Sequence, residues 1–259
     1  MLVFILRLTA RVGIGFACGV VPLLLSGAET NAFAVRAEKV FTEARAAARS
    51  QPTNTAGLLG LGRASFTWAE HARRAAQRED IAQAGIEAAR SVLTREATNA
   101  AALYWLGMNL GQLARTKTLG ALPLVREMEG LFHRARVLDP HTDYAGPDRA
   151  LGRLYRDAPG WPASIGNQKK AREHLEHAVR LHPEFPENQL ELAESFVAWG
   201  EKNNFQRQRP VTEKALAEAR ARFIGDPWEA NWADWNRRLA IIKGRGASPV
   251  QILMDQSGQ

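Results

Sequence analysis

Small and apolar residues recur along this chain at offsets of four, three and five positions, and the last offset usually closes on proline. Val40, Ala44, Ala47 and Pro52 have this spacing, as do Met128, Phe132, Ala135 and Pro140, and Ala171, Leu175, Ala178 and Pro183. Gly85, Ala89, Val92 and Ala97 keep it without the proline, and Ala215, Ala219, Arg222 and Pro227 keep it with a charged third member. The closing positions 52, 97, 140, 183 and 227 set a period of 43–45 residues. A self-similar period of that size is the mark of a repeat array. Each unit also carries an earlier pattern of Leu, a small residue, then a large one: Leu106, Gly107 and Leu110; Leu151, Gly152 and Tyr155; Leu192, Ala193 and Phe196. The unit at 55–97 offers two glycines in "LLGLGRASF", both at expected helix-contact positions, and the pattern does not choose between them.

Positions 0, 4 and 7 share one face of a helix, so the small residues admit a close neighbour and the large one fills the space beside it. Proline ends the second helix because the residue before it avoids helical geometry. Each unit therefore reads as helix A, loop, helix B, turn. The pattern predicts an N-terminal helix at 35–50, pairs at 55–76 and 79–95, 100–116 and 123–138, 146–157 and 168–182, 187–201 and 210–224, and a last helix at 227–243. Asn167 is placed to cap its helix, and Pro123 and Pro210 suit first turns. No stretch alternates as a sheet strand would.

These motifs resemble the tetratricopeptide repeat over residues 35–243, best at Leu106–Pro140 and Leu151–Pro183. The resemblance implies an all-α, tetratricopeptide-like helical-hairpin solenoid with extended repeats of about 43–45 residues, longer than the usual repeat. HEAT, armadillo and Sel1-like arrays share the longer period but not the alanine-and-proline signature. The segment "GPDRALGRLYRDAPGWPASIGNQKKAREHLEHAVRLHPEF" is similar to the periplasmic T-component family associated with TRAP transporters. Ile165, Gly166 and Asn167 stand at that family's glycine-rich position, before Lys170 and Ala171, and the first glycine is missing. This resemblance implies a helical protein that partners a periplasmic substrate-binding protein and carries an apolar ligand channel.

The first 28 residues differ from the rest. Arg7 and Arg11 precede an apolar run from Val12 to Leu25 that ends in "SGA", which reads as a signal peptide at 1–28. The alternative is an uncleaved N-terminal anchor. Cys18, the single cysteine, lies inside that run, so a cleaved chain would carry no thiol, as suits an oxidising compartment. Residues 244–259 read as a flexible tail.

The net charge of +7 is spread among acids along helix faces, not gathered in a basic stripe, and nucleic acid is not an expected partner. No phosphate loop, nucleophile elbow or paired carboxylates are recognisable, and the expectation is a non-enzyme with no cofactor. His174 and His177 flank the apolar face of their helix and are expected to meet solvent rather than a metal. The expected activity is binding of a partner protein, with a carrier of a small apolar ligand as the alternative and a homo-oligomer left open. Repeat geometry puts Tyr104, Met108, Arg149, Arg153, Asn188 and Glu191 on the inner face of the A helices. Trp161, in the connection "APGWPAS", is either tucked over the core or offered to a partner. Trp228, Trp232 and Trp235 share one helix face, which either seals the end of the array or docks another chain.

Overall fold

The computed structural model describes residues 27–117 and 120–246. The chain forms α1 (Gly27–Ser50), α2 (Thr55–Ala69), α3 (Ala75–Leu93), α4 (Ala100–Ala114), α5 (Ala121–Leu138), α6 (Gly146–Asp157), α7 (Gln168–Leu181), α8 (Pro186–Ala198), α9 (Lys202–Ala219), one 3-10 turn (Asp226–Trp228) and α10 (Glu229–Gly246). The described residues hold no strand, only a single bridge between Gly160 and Gly166. No helix among them is long and apolar enough to cross a membrane. The expectations for the apolar run at 12–25, for Cys18 and for the tail beyond Gly246 fall outside the described residues.

Two compact units divide the chain, the first running to His174 and the second starting at Leu175. In the first, α1 packs on α2, α2 on α3, α3 on α4 and α4 on α5, while α6 meets α4 and α5. In the second, α8 pairs with α9 and α10 packs on both. Asparagine side chains begin three of the helices. Asn54 accepts from Gly57 N at 3.1 Å, Asn99 from Ala102 N at 2.9 Å and Asn167 from Lys170 N at 3.0 Å. Each such cap contributes roughly 1 kcal/mol by satisfying an orphan donor.

The repeat residues form the core. Leu106, Leu110, Leu151, Tyr155, Leu192, Ala193 and Phe196 are buried, and so are Met128, Phe132, Ala135, Ala171, Leu175 and Ala178. The small positions are small for a steric reason. A Cβ on Gly107 would stand 2.5 Å from Phe132 Cε1, so α4 and α5 touch there. Of the two glycines in "LLGLG", Gly62 faces Trp105 at 3.3 Å, whereas Gly60 has open space around it and no packing role.

Four expectations change. The buried face of α1 is Ala37, Phe41 and Ala48, with Val40 49% exposed. The larger Phe41 sets the register by packing on Trp68 at 4.8 Å between centroids. Helix α2 stops at Ala69, because Arg78 of α3 donates to the Ala69 and Ala72 carbonyls at 3.1 and 3.3 Å and caps the end. Pro210 lies inside α9 rather than in its first turn. Buried Phe205 anchors an earlier start, which overrides the local signal of the proline. The last helix continues to Gly246, three residues into the expected tail, and Trp228 falls in the 3-10 turn before it.

Gly107→Val should destabilise the first unit by about 1–3 kcal/mol, because Phe132 is too deeply buried to move aside. Thermal melting followed by circular dichroism measures this. A melting temperature equal to the wild type would mean that α4 and α5 do not approach at Gly107.

Candidate functional site

The first unit holds a small groove lined from four helices. Phe66 comes from α2; Tyr104, Met108, Gly111 and Gln112 come from α4; Met128 and Phe132 come from α5; and Arg149, Ala150, Arg153 and Leu154 come from α6. Glu70 and Arg115 join the lining from the ends of α2 and α4. Four of the residues expected on the inner face, Tyr104, Met108, Arg149 and Arg153, thus meet in one place. The α4 part of the lining missed by the sequence reading follows the same helical spacing. From Tyr104 and Met108, the next two turns reach Gly111, Gln112 and Arg115, so extending the stripe would have found them.

The floor is apolar and the rim is charged. Arg115 Nη1 lies 2.9 Å from both Glu70 carboxylate oxygens, and Gln112 donates to the same carboxylate. Arg149 donates to the Asp143 carboxylate at 2.7 Å, to the Asp143 carbonyl at 3.1 Å and to the Tyr144 carbonyl at 3.0 Å. Tyr104 OH donates to Asp143 Oδ2 at 2.8 Å. Burial pushes the Tyr104 hydroxyl pKa upward, and the Asp143 carboxylate adds to that shift. Tyr104 therefore stays a neutral donor.

Tyr104 and Arg149 are buried although they line the groove, and Asn188 and Glu191 do not belong to it. The latter two are buried in the second unit. Asn188 Nδ2 bonds the Ala178 and His182 carbonyls at 3.2 Å each, and Glu191 pairs with Arg238 at 3.1 Å. The reason is α10, which packs on α8 and brings Arg238 against the face that the repeat geometry left open. Arg238 also pairs with Glu187, Glu194 and Asp234. The tryptophan stripe lies in the same unit and packs inward. Trp235 is fully buried against Phe185, Phe223, Trp228 and Trp232, with centroids 5.0–6.1 Å apart.

His174 does not face solvent as expected. Its Nδ1 lies 2.7 Å from Asp148 Oδ1, and its ring stacks on Tyr155 at 5.7 Å. Tyr155 OH donates to Glu129 at 2.5 Å and lies 3.0 Å from His133 Nε2. Trp161 is 89% exposed, so it is not tucked over the core. The connection that carries it is pinned at its base. Gly166 N donates to the Pro159 carbonyl at 2.8 Å and Asn167 N to the Tyr155 carbonyl at 2.9 Å. A Cβ on Gly166 would lie 2.1 Å from the Ala158 carbonyl, so only glycine fits there.

Among solved structures, the chain is similar to TTC0263, a thermophilic TPR protein in Thermus thermophilus. The identity is 18%, the match covers 83% of this chain and 91% of that one, and the TM-score is 0.56. The fold is tetratricopeptide-like. MamA is also similar, at 19% identity over 74% of this chain and 89% of its own, but its TM-score of 0.43 is too low to carry weight. No family model matches the chain, and no curated protein matches it significantly. The tetratricopeptide-like, all-α fold class expected from the repeats thus stands, and neither structure bears on the TRAP-associated resemblance.

The Arg238 cluster yields a test of sign. Burial raises the Glu194 carboxyl pKa; Arg238 pulls against this, and the Glu191 and Glu187 charges reinforce it. A raised folded-state pKa contributes stability at low pH that is lost as pH rises through that pKa. Glu194→Gln should therefore gain stability over the wild type as pH climbs above 4.5, the ordinary value. Arg238→Met leaves the buried Glu191 and the partly buried Glu187 and Glu194 without their cation and should cost roughly 3–5 kcal/mol. Urea denaturation of both variants across pH measures these effects. A wild-type advantage over Glu194→Gln that widened with pH would contradict the assignment.

Proposed function

We propose that the chain is an exported binding scaffold whose groove in the first unit holds a segment of a partner protein. The observation that carries this reading is the convergence of Tyr104, Met108, Arg149 and Arg153 on one groove. An apolar floor with a charged rim is the arrangement of a specific recognition site, in which burial supplies affinity and the polar groups set register. Helical-hairpin arrays bind through such inner faces. Trp161 is a second anchor in this reading, since an exposed loop tryptophan is a large apolar contact for a partner to bury.

The test is photo-crosslinking in a periplasmic extract with a benzophenone amino acid at position 108 or 161. The expected outcome is capture of the same discrete partner from both positions, and capture at neither would overturn the scaffold reading. Trp161→Ala should weaken capture from position 108 with almost no change in melting temperature, because the side chain is exposed. The narrower form of the proposal makes the partner a periplasmic substrate-binding protein, following the sequence resemblance at 146–185. A second reading, carriage of a small apolar ligand, draws on Phe66, Met108, Met128, Phe132 and Leu154 in the lining. Native mass spectrometry separates the two, because a carrier purifies with bound small molecule and a scaffold does not.

Export rests on the apolar run before "SGA" and its two flanking arginines. Mass spectrometry of the soluble periplasmic protein should give an N-terminus near Glu29 or Val35. Recovery of intact Met1 from that fraction would rule out cleavage.

A further inference from the structure

Outside the groove lining, two imidazoles meet where α5, α6 and the start of α7 come together. The His133 and His174 rings are 5.6 Å apart between centroids, edge to face. Tyr155 of α6 touches both: its hydroxyl is 3.0 Å from His133 Nε2, and its ring stacks on His174 at 5.7 Å. The hydroxyl has one proton, which it donates to Glu129 at 2.5 Å. His133 Nε2 therefore carries a hydrogen and donates it to the Tyr155 oxygen, which leaves Nδ1 as the atom that takes up a proton in acid. The start of α7 is held by the same groups. His174 Nδ1 lies 2.7 Å from Asp148 Oδ1, Lys170 Nζ stands over the Tyr155 ring at 4.9 Å, and Asn167 N donates to the Tyr155 carbonyl at 2.9 Å. Tyr155 is thus the seat for residues 167–174, and the loop that carries Trp161 leads straight into them.

Charged and chargeable groups face His133 from the helices around it: Glu129 and Arg136 from its own α5, and Lys170 and His174 from α7. From α6 it meets the Tyr155 hydroxyl. Helix α4, which also packs on α5, contains no Asp, Glu, Lys, Arg or His. Glu129 is the acid among these neighbours, and it already accepts from Tyr155. Asp148 of α6 does not shield His133, because its Oδ1 accepts from Arg136 Nε at 2.8 Å as well as from His174.

We propose that His133 is the sensor of a proton-operated latch: a proton on its imidazole loosens residues 167–174 from Tyr155, and with them the loop that displays Trp161. The new charge arises in a partly buried place, opposite His174 and Lys170. Those two side chains are also the ones that dock α7 on Tyr155, so withdrawal of the start of α7 relieves the crowding. Burial holds the His133 pKa below its ordinary value of 6.5, and His174, Arg136 and Lys170 lower it further against the pull of Glu129. A lowered folded-state value means that the stability of the neutral form is complete above 6.5 and is lost as pH falls through the folded value. The latch therefore holds at neutral pH and weakens in acid.

The test follows amide hydrogen exchange of the purified full chain by mass spectrometry, corrected for the intrinsic rate, from about pH 7.5 to about pH 5.5. Opening of residues 158–174 should rise by about threefold or more while α2 and α3 stay unchanged. His133→Gln keeps a donor for Tyr155 but cannot titrate, and it should abolish the rise. In parallel, NMR of the wild-type histidines, with His133 assigned by its contacts to Tyr155, should give a midpoint for His133 below 6.5. His174→Asn keeps a donor for Asp148 without a titratable charge and should move that midpoint upward, a response that a merely packed His133 would not show. Absence of acid-induced opening at 158–174, opening spread evenly over all helices, or a rise that persists in His133→Gln each overturns the latch. A wild-type His133 midpoint at or above 6.5, or one that His174→Asn leaves in place, does so as well. None of these measurements needs a partner, so the latch and the scaffold reading fail separately.

Discussion

Everything in the first unit depends on how closely α4 approaches α5. Gly107 lets the Phe132 ring lie against the α4 backbone, and Phe132 in turn lies 6.1 Å from the Tyr104 ring. Tyr104 then fits against Gly146 at the start of α6, where a Cβ would come within 2.7 Å of its ring. One chain of close contacts thus runs from α5 through α4 to α6. It fixes the groove floor, and it sets where the Tyr104 hydroxyl and the Arg149 guanidinium can reach. Dense interiors transmit strain rather than absorb it, so a displaced helix here would displace the site.

The second unit solves its packing differently. Its end is closed by an aromatic cluster around Trp235 and by one arginine surrounded by carboxylates. A buried guanidinium with several acidic partners adds little net stability compared with an apolar replacement of both partners, but its geometry permits few alternatives. Trp235 Nε1 donates to Glu187 at 2.8 Å, which joins the aromatic and ionic halves of this closure.

Residues governed by local periodicity were legible in the sequence. The buried positions from Leu106 to Tyr155 and the Asn167 cap follow from helix geometry alone, which is why the fold class could be read without coordinates. The site was half legible. Tyr104, Met108, Arg149 and Arg153 lie on the face that repeat geometry selects, but Phe66 and Glu70 enter only because hairpins stack, which a single helix pattern does not encode. Asn188 and Glu191 occupy the same face, but a terminal helix covers it there. His174 was misplaced for a similar reason: its neighbour Asp148 comes from a different helix. Phe41 took the register from Val40 because the larger ring wins the interior, and a spacing rule that counts both as apolar cannot see this.

The connection carrying Trp161 separates anchoring from display. Backbone bonds at Pro159, Gly166 and Asn167 close the loop at its neck, while Trp161 at its tip touches solvent. Residues between the neck positions can therefore change in identity without disturbing α6 or α7. In evolutionary terms, this is a place where binding preference can drift at almost no cost to folding, and in engineering terms it is a natural graft site.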